Sequence, residues 1–136
     1  MCGGSYVLVV RRTRGASLEV GALGTARFPP GGYAYVGSAQ SGFGRLERHR
    51  AVAAGENPTR HWHIDYLLGA PGTSLVETIR IPDRDVECTL ASTFDDSHMS
   101  GFGASDCGCD AHLFHTEDVE TIQERAREAR RQMLRS

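Results

Sequence analysis

The sequence predicts an α+β domain in which a small central sheet of three strands is flanked by helices. Three observations carry that prediction. The first half holds short runs rich in β-branched and aromatic residues, residues 5–12 (SYVLVVRR) and 33–38 (YAYVGS). Residues 43–54 follow with a helical spacing of apolar positions. The chain closes, over residues 117–134, on a long amphipathic pattern. The order strand, strand, helix, strand, helix, helix groups the helices after the first strands, as an α+β domain does.

Residues 5–12 form the first and most apolar strand. The connection that follows, residues 13–32, is punctuated by glycines and by Pro29 and Pro30. It is an elaborated hairpin link with room for short strands at 18–20 and 26–28. In residues 33–38 the period of two puts Tyr33 and Tyr35 on one face, Ala34 and Val36 on the other. Residues 43–54 carry Leu46, Arg48, His49, Val52 and Ala53 in a pattern that fits a helix ending at Gly55, and Arg45 and His49, four apart, share a face. Residues 61–68 (HWHIDYLL) are partly buried, with helix and strand both open. Residues 75–81 form the third strand, halted by Pro82. Residues 85–94 fit a helix with Glu87 and Ala91 on one side, and a glycine-rich loop spans 97–110. The last helix has Thr116 as its cap, acids near its start, arginines near its end, and a stripe of Val119, Ile122, Ala126, Ala129 and Met133.

At 136 residues the chain is one domain, 1–136, with a core of about 4–115 and the terminal helix beyond it. No apolar run reaches the roughly 18 residues of a membrane span. The apolar start lacks the basic flank and cleavage signal of an export peptide, so the expected compartment is the cytoplasm and no membrane partner is expected. A net charge of −2 excludes a protein that coats nucleic acid by bulk positive charge. Local contact remains open, because all 15 basic residues are arginines, whose guanidinium fork grips phosphate in two places. Arg45, Arg48, Arg50 and Arg60 fall in one short stretch. Oligomeric state is not written in these features.

The segment from Gly32 to Arg48, GYAYVGSAQSGFGRLER, runs a tyrosine-bearing strand through Gly37 into a helix that presents Arg45 eight residues after that glycine. It resembles the GIY-YIG nuclease superfamily. Gly4, Ser5 and Tyr6 stand for the first half-motif, and Tyr35, Val36 and Gly37 for the second. The further segments RLERH, HWHIDYLL, Glu87-Cys88 and GFGASDCGCDAHLF resemble the Uri-type branch, and the likeness extends to about Phe114. It implies a mainly antiparallel sheet and a divalent-metal-dependent endonuclease acting on DNA. It also implies a site with Tyr6, Tyr35, Arg45, His49 and Glu87 as catalytic residues. The 29 residues from Tyr6 to Tyr35 exceed a compact hairpin, and the first half-motif lacks its middle isoleucine, so Tyr33 rivals Tyr6 for one tyrosine role.

Cleaving a phosphodiester requires a group to deprotonate or orient water, a cation facing the phosphate, and stabilisation of the leaving oxygen. Glu87 suits Mg²⁺ or Mn²⁺, since magnesium keeps most of its waters and needs few protein ligands. Arg45 would clamp the phosphate, Tyr6 would activate or position the water, and Tyr35 would orient it or the phosphate. A phenol of ordinary pKa, about 10, is a weak base without help. His49 is either that helper or a packing residue. Tyr33, Ser38, Arg48, His61, His63 and Asp65 are candidate substrate contacts. His61, His63 and Asp65 would share one face if their segment were extended, as metal ligands or as contacts to the substrate backbone.

Cys88, Cys107, Cys109 and His112 make up a tetrahedral ligand set suited to structural Zn²⁺. The spacing Cys-x-Cys is tighter than usual for zinc, and reduced buried thiols or a disulfide are the alternatives. A nucleophilic Cys107 paired with His112 would define a different enzyme. Two further classes stand beside the nuclease: a non-catalytic nucleic-acid-binding domain on the same fold, and a zinc-stabilised interaction module.

Overall fold

A computed structural model describes residues 4–39, 44–58, 63–82, 94 and 112–135. Strands β1 (Gly4–Arg12), β4 (Gly31–Ala39), β5 (Thr73–Pro82) and β6 (Leu113–Thr116) form a four-stranded sheet in the order β5-β1-β4-β6. Each neighbouring pair is antiparallel. Strands β2 (Ala16–Glu19) and β3 (Thr25–Phe28) form a separate hairpin around a single 3-10 turn, Gly21–Leu23. The helices are α1 (Gly44–Ala53), α2 (His63–Leu68) and α3 (Val119–Arg135). The α+β class holds.

β1 is the middle of the fold. Seven consecutive residues, Gly4 to Val10, are buried, as expected of a strand covered on both faces. Tyr6, Leu8 and Val10 face α1, α2 and the β2–β3 hairpin, where they join Phe28, Tyr33, Tyr35, Leu46, Val52, Ile64 and Leu67. Val7 and Val9 face α3 and pack with Ala34, Val36, Ile79, Ile81, Phe94 and Phe114. The five stripe residues of α3, Val119, Ile122, Ala126, Ala129 and Met133, are all buried there. The molecule thus has three layers, and the 3.6-residue period of α3 identifies its buried face correctly.

Three expectations are corrected. The sheet has four strands rather than three, because residues 113–116 pair with β4 through Tyr35–Leu113 and Gly32–Thr116. Four residues are too few to show a period of two, and the pairing is supplied by the neighbouring strand. The cap of α3 is Asp118, not Thr116. The Thr121 amide and hydroxyl both donate to Asp118 Oδ1 at 2.8 Å, which holds that carboxyl below its usual range, while the Thr116 hydroxyl donates to the Asp118 carbonyl. Residues 63–68 are helical, so His63 and Asp65 lie two positions apart on a helix and do not share a face.

The end of α1 is as the sequence reads. The Gly55 amide donates to Val52 and the Glu56 amide to Ala51, at 3.1 and 2.9 Å, with Gly55 at a φ of 79°. That left-handed residue closes a Schellman motif, which a side chain would strain. The helix expected over 85–94 lies outside the described residues, except for Phe94, which is buried and stacks on Phe114 at 4.9 Å.

Candidate active site

The strand register brings the two half-motifs together. Tyr6 on β1 sits directly opposite Gly37 on β4, and the phenol end of the Tyr6 ring lies against that glycine. A Cβ at position 37 would overlap Tyr6 Cζ and Oη, so the ring can occupy this place only over a residue without a side chain. Tyr35, two residues earlier on β4, projects to the same face, with its ring centre 6.5 Å from that of Tyr6.

α1 supplies the third ring. Its buried side turns Leu46, His49 and Val52 toward the sheet. His49 Nε2 is hydrogen-bonded to Tyr6 Oη at 2.8 Å, the donor being set by the imidazole tautomer. The His49 ring centre lies 5.6 Å from that of Tyr6 and 6.2 Å from that of Tyr35, which it meets edge-on. Tyr6 and His49 are fully buried and Tyr35 is 7% exposed. Three polar aromatic groups therefore converge in an otherwise apolar layer. Arg45 lies one turn before His49 in α1; its side chain lies outside the described residues, as does that of Ser38 on β4. Glu87, His61, Cys88, Cys107 and Cys109 also lie outside them.

Tyr33 is placed elsewhere. It pairs with Val10, four residues along β1 from Tyr6. Its hydroxyl donates to the Pro29 carbonyl at 2.6 Å, and its ring packs on Phe28 and His115. Burial pushes its pKa far above the ordinary phenol value. Tyr33 is thereby tied into the β3–β4 turn, while Tyr6 belongs to the cluster with Tyr35 and His49.

Arg48 and Asp65 form an ion pair of 2.5 Å between α1 and α2. Asp65 is fully buried and the Arg48 side chain is 23% exposed, so the pair is a strut linking the two helices behind the rings. His63 is half-buried on α2, and desolvation lowers its pKa. His112 is buried beside β4, where its carbonyl accepts the Val36 amide. Among the described residues no group of three or more His, Cys, Asp or Glu side chains is arranged to hold a metal ion.

Arg80 escaped the sequence reading. On β5 it lies directly opposite Tyr6, on the flank away from Gly37, and paired residues of antiparallel strands project to the same face. Its side chain is exposed. Its flanking Ile79 and Ile81, both buried on the α3 side, give the alternation away, but only the register brings Arg80 beside Tyr6.

Residues 5–135 match the family model described as Domain of unknown function DUF123. Neither a curated protein nor a solved structure matches the chain significantly. Among the described residues no helix is long and apolar enough to cross a membrane.

Proposed function

The chain belongs to the DUF123 family, and we propose that it is a divalent-metal-dependent endonuclease of the GIY-YIG superfamily, Uri-type branch, hydrolysing phosphodiester bonds in DNA in the cytoplasm. The observation that carries this reading is the Tyr6–His49 hydrogen bond over Gly37, with Tyr35 alongside. In a nuclease the arrangement answers the weakness of a phenol as base. With the imidazole proton on Nδ1, Tyr6 donates its own proton to His49 Nε2. As Tyr6 takes a proton from the attacking water, the phenolic proton passes to an imidazole, whose ordinary pKa is about 6.5. Tyr35 orients the water or the phosphate, and Arg45 neutralises the phosphate charge. Glu87 is the proposed ligand for Mg²⁺ or Mn²⁺, which when bound supplies further charge neutralisation at the phosphate.

A plasmid nicking assay with Mg²⁺ or Mn²⁺ tests the reading. Tyr6→Phe, His49→Ala, Arg45→Ala and Glu87→Ala proteins should each lose activity, and wild-type cutting by the Arg45 or Glu87 variant would remove the assignment. The complete burial of Tyr6 and His49 favours a second reading, a nucleic-acid-binding domain on the same fold without catalysis. Binding to DNA with no cleavage under either metal would select it.

A further inference from the structure

The charges of α3 are unevenly divided. Its first half bears Glu120 and Glu124, whereas from Arg125 onward it carries five arginines against Glu128 alone. Three of these, Arg127, Arg130 and Arg131, form one wall of an open cleft of about 590 Å³, whose other wall is β5 from Glu77 to Arg80. Three guanidiniums, those of Arg127, Arg130 and Arg131, thus line this cleft with the Glu77 carboxylate, in a chain whose net charge is −2. Glu77 holds the wall in place, accepting from Gln123 at 2.7 Å and from Arg127 at 2.9 Å. Arg130 donates through Nε to the Arg80 carbonyl at 2.8 Å, which fixes α3 against the edge of the sheet. Arg131 is tied to Glu124 and Glu128. These bonds engage only part of each five-donor guanidinium, and exposed ion pairs of this kind yield readily to a phosphate.

Arg80 belongs to both regions. It lines the cleft, and it is the cross-strand neighbour of Tyr6 on the other face of the sheet. The exposed Arg80 side chain on one face and the arginines of α3 on the other thus flank the β5 edge of the sheet.

We infer that this cleft seats the phosphodiester backbone of duplex DNA flanking the bond presented to Tyr6, with Arg80 leading the strand around the edge and Arg127, Arg130 and Arg131 gripping the phosphates beyond it. The inference rests on the nuclease reading for the position of the cut, but not for the binding itself. Several guanidiniums along one groove suit a repeating anion, and such contacts carry no sequence preference.

The test is fluorescence anisotropy of a short labelled DNA duplex in EDTA, titrated at several salt concentrations, with plasmid nicking measured in parallel. The variant is Arg127→Gln with Arg131→Gln, sparing Arg130 and its hold on β5. The control is Arg14→Gln with Arg125→Gln, which removes the same charge outside the cleft, and circular dichroism verifies that both fold. The cleft variant should bind at least about tenfold more weakly and lose about 1.8 from the slope of log K against log salt, the control far less. Where wild type nicks, the variant should raise KM and leave kcat unchanged. Binding by the cleft variant equal to wild type, equal losses in variant and control, or no binding by wild type at low salt would each overturn the inference. Absence of nicking by wild type would instead remove the nuclease reading, while the salt slopes still decide the cleft.

Discussion

The two faces of the central sheet are built from the same strands to different ends. On the α3 face Val7, Val9, Ala34, Val36, Ile79 and Ile81 meet an apolar stripe, and the interior of that layer is held by burial, with polar bonds only at its β5 rim. On the other face the alternate residues of the same strands bring Tyr6 and Tyr35 against His49, and an ion pair, Arg48–Asp65, joins α1 to α2. An apolar layer tolerates repacking, whereas a buried polar layer is costly unless each group finds a partner. Under the proposed nuclease reading, the contrast puts chemistry on the α1–α2 face and stability on the α3 face.

Substitutions can break that division. The largest expected effect is on the α3 face: Ile122→Ala empties a fully buried site and should cost roughly 4 kcal/mol. Its specific nicking activity, corrected for the folded fraction, should remain that of wild type, and a selective loss would show that the faces are not independent. Next is Asp65→Ala, which strands Arg48 and should cost about 3 kcal/mol in denaturant unfolding. Gly37→Ala comes third, at about 2 kcal/mol, since its methyl group meets the Tyr6 ring. Tyr6→Phe should cost only about 1 kcal/mol of stability, by leaving the His49 end of the bond unmet, yet reduce nicking at least about 100-fold. A Tyr6→Phe protein with full activity would place the ring cluster among packing residues.

The smallest effect is a pH dependence. Burial lowers the pKa of His63 from its ordinary 6.5, so as pH falls below that value the unfolded chain takes up a proton that the folded chain resists. Stability should be fully present above pH 6.5, decline as pH falls toward the depressed folded value, and level off below it. Thermal melts of His63→Gln should show a shallower decline over that window, and an unchanged profile would assign the pH dependence to other groups.

The α3 face was nearly transparent in the sequence. A stripe at helical spacing can be satisfied only by burial, and all five of its residues are buried. The alternation in residues 33–38 likewise assigned Tyr33 and Tyr35 to one side and Ala34 and Val36 to the other. The polar face was legible only in part. Residue types marked Tyr6, Tyr35 and His49 as candidates, but choosing between Tyr6 and Tyr33 needed the register of two strands joined by a long connection. Asp65 looked like a neighbour of His63 because spacing along the chain is visible and a partner on another helix is not. β6 was hidden for a similar reason: LFHT has no pattern of its own, and its conformation comes from β4. Arg80 showed its face but not its neighbour. Information local to one element survives in one dimension, while contacts between elements do not.

The seat of Tyr6 over Gly37 also constrains how this sequence can vary. The two positions are 31 residues apart in the chain yet occupy one volume, so substitutions there are coupled rather than additive. A side chain at position 37 costs least where the ring at position 6 has already gone, and loss of that ring relieves the constraint at 37. The tyrosine and the glycine therefore constrain one another, each setting what the other position can hold.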